Sequence, residues 1–192
     1  FLLDYFGISN ARLSVNDSGA LPFVIAARVE AAVKALTGTT QSFIPEMIPE
    51  NLYSSSRDRY RFSRLYLPGN SPGMFLNAGL HSPDGIILDL EDSVAPDRKD
   101  EARILVRNAL RAVDFYGAER MIRINQGDRG LDDLEVLIPH NVQLVLIPKC
   151  EDGETVRKVD NKIKEIKAGL GQTGTVFLMP IIESAAGVEH AT

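Results

Sequence analysis

The chain has a single cysteine, Cys150, and only three histidines. One cysteine excludes an internal disulfide, and three scattered histidines do not make a zinc-ligand cluster. Long apolar runs are missing as well. No stretch approaches the roughly 18 residues of a membrane helix, and Phe1-Leu2-Leu3 leads into Asp4, not into the apolar core of a signal peptide. Positive charge is in deficit: the formal net charge is −5, no long basic stripe occurs, and a nucleic-acid partner is without electrostatic support. No membrane association and a cytosolic compartment are therefore the expectations. What remains is a chain of 192 residues, 44% apolar and 24% charged, able to bury a core of ordinary size as one domain plus a smaller piece. Beginning at Phe1 and not at Met, it is expected to be trimmed at its front.

The most informative stretch is Gly85-Ile-Ile-Leu-Asp-Leu-Glu-Asp-Ser-Val94, in which an apolar run meets Asp89, Glu91 and Asp92 within four positions. A strand without polar alternation is buried on both faces, as in a parallel sheet covered by helices. Acids at the carboxyl end of such a strand stand where α/β folds place their ligands. They also serve to cap a following helix, but three exceed what a cap requires.

Residues 11–15 alternate like a half-exposed strand, Asn16-Asp-Ser-Gly19 reads as a turn, and Leu21, Val24, Ile25, Val29, Ala32, Val33 and Leu36 recur at helical spacing. A small α+β unit over 1–38, packed apart from the rest, is the expectation. Residues 39–63 read as a linker, since Pro45 and Pro49 interrupt any helix, although Phe43, Ile44, Met47 and Ile48 suit it to lie along a surface.

From Arg64 a strand-then-helix rhythm begins. Strands are expected at 64–68, 85–91, 120–125, 144–148 and 176–182, with amphipathic helices over about 98–113 and 154–170. Five βα units without hairpin turns imply parallel neighbours in chain order. They build either an open doubly wound sheet or part of a closed eight-stranded barrel. Every strand end carries polar or special-backbone chemistry: Pro68-Gly69-Asn70, the three acids, Arg123 with Asn125, Pro148-Lys149, and Glu183. In a barrel these ends converge on one mouth. A receiver-like regulatory module would also collect acids and a lysine, but it needs a lone Asp after its third strand, where this chain has Arg123 and Asn125.

Two segments carry family resemblances. Asp17-Ser-Gly-Ala-Leu21 and Ala27-Arg-Val-Glu-Ala31 resemble the carboxyl half of the citrate lyase gamma subunit, an acyl carrier protein. In that family the prosthetic-group serine lies further upstream, so Ser9, Ser14 and Ser18 do not inherit its role. From Arg64 onward the resemblance is to the citrate lyase beta subunit and the HpcH/HpaI aldolases, carried by five motifs. These are Leu65-Tyr-Leu-Pro-Gly-Asn70, Ile87-Leu-Asp-Leu-Glu-Asp-Ser-Val94 with Pro96 and Lys99, Arg123-Ile-Asn125, Pro148-Lys149, and Pro180-Ile-Ile-Glu-Ser-Ala-Ala-Gly187.

The resemblance implies a magnesium-dependent TIM barrel, here a partial (β/α)8 barrel over 64–192. It implies cleavage of a 3-hydroxy-acyl thioester, citryl-CoA or malyl-CoA, to an acetyl thioester and a 2-oxo acid such as oxaloacetate. A homo-oligomer with further lyase subunits is the expected assembly, and the two segments together suggest a gamma–beta fusion. A scaffold without catalysis is the alternative. The family pattern continues into a sixth strand with a second metal-binding Asp, which is not reached before Thr192. Weak or no magnesium binding, and no activity, are therefore expected of these residues alone.

The resemblance makes Glu183 the metal ligand and a catalytic, substrate-binding residue. Its other reading is an acid at the start of the following helix. Arg123 can grip a 2-oxo acid carboxylate bidentately and can also pair with Asp89 or Glu91. Glu91 and Asp92 are assigned to hydrogen bonds with water around the metal, and Asp89 to structure. Lys149 is expected to pair with these acids. A Schiff base on it is the competing role.

Overall fold

The computed structural model describes residues 1–191. Two helices, α1 (Leu2–Tyr5) and α2 (Pro22–Thr37), precede the sheet. The alternation then runs β1 (Arg64–Pro68), α3 (Pro72–Ala78), β2 (Gly85–Asp89), α4 (Lys99–Ala112), β3 (Glu119–Arg123), α5 (Gly127–Leu137), β4 (Leu144–Ile147), α6 (Gly153–Leu170), β5 (Phe177–Pro180) and α7 (Ala185–Glu189). The five strands form one sheet in chain order, each neighbouring pair parallel. All five expected strands are present, as are the two expected long helices.

That order is the wall of a barrel. A receiver-like or doubly wound sheet reverses its strand order at a switch point, and no reversal occurs among these strands. The period of two along each strand sorts the side chains. Ile86, Leu88, Ile122, Val145 and Ile147 face the helices and join the main core. Ile87, Met121, Leu144 and Leu146 face the concave side, where Phe177, Met179 and Ile181 pack against them. β2 lies inside both layers and is buried at every residue. α4 supplies Ala102, Leu105, Val106, Ala109 and Leu110 to the main core. α6 starts where Asp152 accepts the Thr155 N–H and ends at Gly171, whose φ of 64° is the left-handed closure that glycine favours.

The front of the chain departs from expectation in two ways. Residues 11–15 form no strand: they are exposed and irregular, because an alternating segment becomes a strand only against a neighbouring edge, and none lies beside it. The turn after it does form, with Asp17 Oδ1 accepting the N–H groups of Gly19 and Ala20. The second departure concerns α2, which does not pack in a separate body. It lies on α4 with Phe23, Val24, Ala26, Ala27, Val29, Glu30 and Val33 buried, while Ala32 and Leu36 of the expected face stay exposed.

A buried polar bond accompanies this apolar packing. Glu30 Oε1 and Oε2 accept from Arg107 Nη1 and Nη2 at 2.9 and 2.7 Å, and both residues are buried. Such a fork is specific in direction as well as charge. Apolar spacing could not report it.

The segment after α2 is held against the barrel throughout its second half. Asn51 Nδ2 donates to Leu110 O and Val113 O, and Tyr53 O accepts from Arg120, Gln143 and Asn141. Arg61 forks onto buried Glu119 at the amino-terminal end of β3. A stretch that reads as a linker is thus the floor of the barrel, because its polar side chains satisfy strand-end and helix-end groups that would otherwise be orphaned.

Candidate active site

The carboxyl ends of β2 to β5 bring the expected residues into one connected cluster. Period two places Asp89 and Arg123 on the concave face in register across β2 and β3. Asp89 is 1% exposed and takes Arg123 Nε on Oδ1 and Nη2 on Oδ2, both at 2.7 Å. Burial pushes the Asp89 carboxyl up, but Arg123, Ser93 and the Glu91 N–H override it and hold it below the usual carboxylate range. The Arg123 charge is fixed further by the same bond. Its guanidinium also lies 5.3 Å from the Tyr66 ring centroid.

Glu91 is the hub. One oxygen accepts from Lys149 Nζ at 2.8 Å and Gln126 Nε2 at 2.9 Å, while the other lies 3.3 Å from Arg123 Nη1 and accepts the Asp92 N–H. It is buried, so these partners replace water as its solvation. The β2–α4 turn that carries it is pinned by Lys99, whose ammonium donates to Leu90 O and Glu91 O at 2.8 Å.

Lys149 spans the mouth. Its ammonium bonds Glu91 and, at 3.1 Å, Asp92, and those two hydrogen bonds raise its pKa while Lys149 lowers that of Asp92. This is the expected ion pair with the acids. A doubly bonded ammonium is also a poor amine nucleophile. Its backbone N–H donates to Glu183 Oε1 at 2.9 Å. Glu183 is exposed, and among the described residues its Oε2 has no donor and no ion pair. The role of capping α7 belongs to Ser184, whose Oγ accepts the Gly187 N–H. Glu183 is therefore not needed as a cap.

A continuous path thus runs Arg123–Glu91–Lys149–Glu183, joining the ends of four strands, β2 to β5, across 92 positions of sequence. Asp92, by contrast, is mostly exposed and touches only the edge of this path. Gln126, Tyr66 and Lys99 were given no role by sequence reasoning. Gln126 stands one position after Asn125 at a strand end, which was the available signal. Asn125 itself turns away and bonds buried Asp133.

Two glycines are explained by packing alone. A side chain on Gly69 would put its Cβ 2.7 Å from the Asp89 carbonyl oxygen, so this glycine lets the β1–α3 turn close against β2. On Gly187 the Cβ would lie 2.7 Å from Cys150 O, which means that it seats α7 on the β4 end and does not leave room for a ligand.

Known proteins share the sequence and the sheet of this chain. The chain is 34% identical over 139 residues to the citrate lyase subunit beta of Leuconostoc mesenteroides subsp. cremoris, covering 71% of this chain and 46% of that protein. It is 35% identical over 132 residues to an L-malyl-CoA/beta-methylmalyl-CoA lyase of Cereibacter sphaeroides, covering 66% and 42%. A citrate lyase beta subunit from M. tuberculosis, solved with oxaloacetate and magnesium, superposes with a TM-score of 0.52 at 26% identity, over 67% of this chain and 52% of that one. The chain spans about half the length of the curated relatives it matches. The front of the chain, residues 2–36, matches an acyl-carrier family model described as the malonate decarboxylase delta subunit. Its five parallel strands in chain order are the arc of a TIM barrel shared with the M. tuberculosis protein. With its family-model match running over residues 63–192, more than half of its length, the chain belongs to the HpcH/HpaI aldolase/citrate lyase family.

Proposed function

We propose that this chain forms part of a magnesium-dependent carbon–carbon lyase acting on a 3-hydroxy-acyl thioester of the citryl-CoA or malyl-CoA type. The products are an acetyl thioester and a 2-oxo acid such as oxaloacetate. The observation that carries the reading is the path of ion pairs and hydrogen bonds from Arg123 to Glu183 across the mouth of the barrel arc.

Among the described residues, no group of three or more His, Cys, Asp or Glu side chains could hold a metal ion. Glu183 alone nevertheless suits magnesium, which is commonly held by one or two carboxylates together with water and substrate oxygens. Its Oε1 is fixed by a backbone N–H and its Oε2 is unengaged by the described residues. The surroundings favour a cation as well, since Asp89, Glu91, Asp92 and Glu183 outnumber Arg123 and Lys149 in the same cluster. When bound, magnesium would supply positive charge against the negative charge that develops as the carbon–carbon bond breaks.

The protein's own residues do the orienting. Arg123 is committed to Asp89 through Nε and one N–H of Nη2 and is paired with Glu91 through Nη1, which leaves one N–H of each Nη for a substrate carboxylate. Asp89 and Glu91 prevent it from turning. Lys149 stays protonated and fills the space beside Glu91, so its part is to fix the acids and not to form an imine. The acyl-carrier-like front supports a substrate carried as a thioester.

The test is divalent-metal titration and turnover of citryl and malyl thioesters by the protein as encoded, against Glu183→Gln. Loss of metal affinity and of turnover with an unchanged far-ultraviolet spectrum is expected. Unchanged affinity and rate would overturn the reading, and chelator-resistant turnover trapped on Lys149 by borohydride would replace it with Schiff-base chemistry.

A further inference from the structure

We propose that Lys149 is a positioning residue for the Glu183 carboxylate and that it acts through its backbone, whose left-handed turn aims the peptide N–H at Glu183 Oε1. This rests on the reading of Glu183 as a metal ligand. Lys149 has φ of 47°, a region that L side chains other than Asn and Asp seldom enter. Such an outlier persists only where its surroundings over-determine it.

Here they do. On one side, Ile181 N–H donates to Ile147 O at 2.9 Å; on the other, Cys150 N–H donates to Ile181 O at 3.0 Å. The two bonds keep β4 and the segment after β5 in register on either side of residues 148 and 149. The Gly187 backbone closes on Cys150 O from the α7 side. The Lys149 side chain is drawn the opposite way, into the mouth, by Glu91 at 2.8 Å and Asp92 at 3.1 Å. Between these anchors the chain reverses locally, and the one N–H that the ladder leaves over points at Glu183. Fixing one oxygen of the carboxylate orients the other without adding a second cation beside it, which a side-chain donor such as Arg would have done.

The geometry separates the two halves of the residue experimentally. Lys149→Gly and Lys149→Val both remove the ammonium, but glycine accepts the left-handed turn and a β-branched side chain resists it. Divalent-metal affinity of the protein as encoded, read by calorimetry with Mg2+ or Mn2+, should be about ten-fold weaker in Lys149→Val than in Lys149→Gly, the loss of the ammonium being common to both. Equal affinities for the two variants would overturn the proposal.

Should Lys149→Val fail to fold, hydrogen exchange of the residue-149 amide decides. That amide should exchange at least about ten-fold faster in Glu183→Ala than in the wild type, while its strand neighbours are unchanged. No acceleration overturns the proposal. Failure of the underlying reading looks different. If Glu183→Gln leaves metal affinity intact, Glu183 is no ligand and the positioning role falls with it; if Glu183→Gln weakens affinity but the glycine and valine variants match, only the positioning role falls.

Discussion

Replacing Glu30 by alanine isolates the contact that docks the carrier-like helix on the barrel. The carboxylate accepts two bonds from Arg107 and one from the Phe43 N–H at 3.0 Å, and Lys34 Nζ lies 3.3 Å away. Arg107 is 2% exposed, so Glu30→Ala strands a guanidinium whose remaining partners, Asn108 Oδ1 and Phe43 O, are neutral. Breaking one side of a buried pair costs about 3–5 kcal/mol, because the surviving charge stays out of water. Orphaning the Phe43 N–H adds about 1–3 kcal/mol. The loss has a ceiling: α2 can undock before the barrel unfolds, and the cost then stops at the free energy of docking.

Two measurements cover both cases. Urea unfolding followed by circular dichroism reads the global cost, and hydrogen exchange over amides 22–37 reads local undocking. The double variant Glu30→Leu with Arg107→Met removes both charges and should cost less than Glu30→Ala alone. Glu30 also sets a pH window. Burial raises its carboxyl, but Arg107, the Phe43 N–H and Lys34 outweigh that and hold it below the usual range. A carboxyl depressed in the folded state contributes stability above its ordinary pKa of about 4.3 and loses it as pH falls through the folded value, so the assays belong at pH 7. An unchanged urea midpoint together with unchanged protection of α2 would refute the docking argument.

Two further outcomes are expected of the barrel. His140 is buried beside Arg111, and burial first, then Arg111 and Arg107, push its pKa down to about 3. The unfolded state therefore takes up this proton first, and stability should fall by about 1.4 kcal/mol per pH unit below pH 6.5, a slope that His140→Gln removes between pH 6.5 and 5. Gly69→Ala would press a methyl group onto the Asp89 carbonyl oxygen at 2.7 Å and onto Leu90 and Val106 near 3 Å. A loss of about 1–3 kcal/mol in denaturant titration is expected, and a neutral substitution would mean that the β1–α3 turn is looser than its packing implies.

The amino-acid sequence by itself determined the parallel strand–helix alternation. Runs such as Ile86-Ile87-Leu88 and Leu144-Val-Leu-Ile147, separated by helices with one apolar stripe and never by a hairpin turn, permit little except parallel strands, while the unreversed strand order that makes them a barrel arc and not a doubly wound sheet is seen in the tertiary structure. It also placed Asp89, Arg123, Lys149 and Glu183 at strand ends, since polarity at the end of a buried strand is conspicuous. Tertiary structure decided everything that depends on a partner from far along the chain. The alternation at 11–15 was genuine, but a strand requires an edge beside it, and none stands there. Helical spacing found α2 and only part of its buried face: Val24, Val29 and Val33 are buried as expected, but the face is turned so that Glu30 meets Arg107, 77 positions away, and Leu36 stays exposed. Residues 39–63 look like a linker for the same reason: the bonds made by Asn51, Tyr53 and Arg61 are to backbone and side-chain groups on α4, on β3 and just before β4. The left-handed backbone at Lys149 was the least legible of all, since nothing local favours it and only anchors on the β2–α4 turn, β4, the segment after β5 and α7 together hold it there.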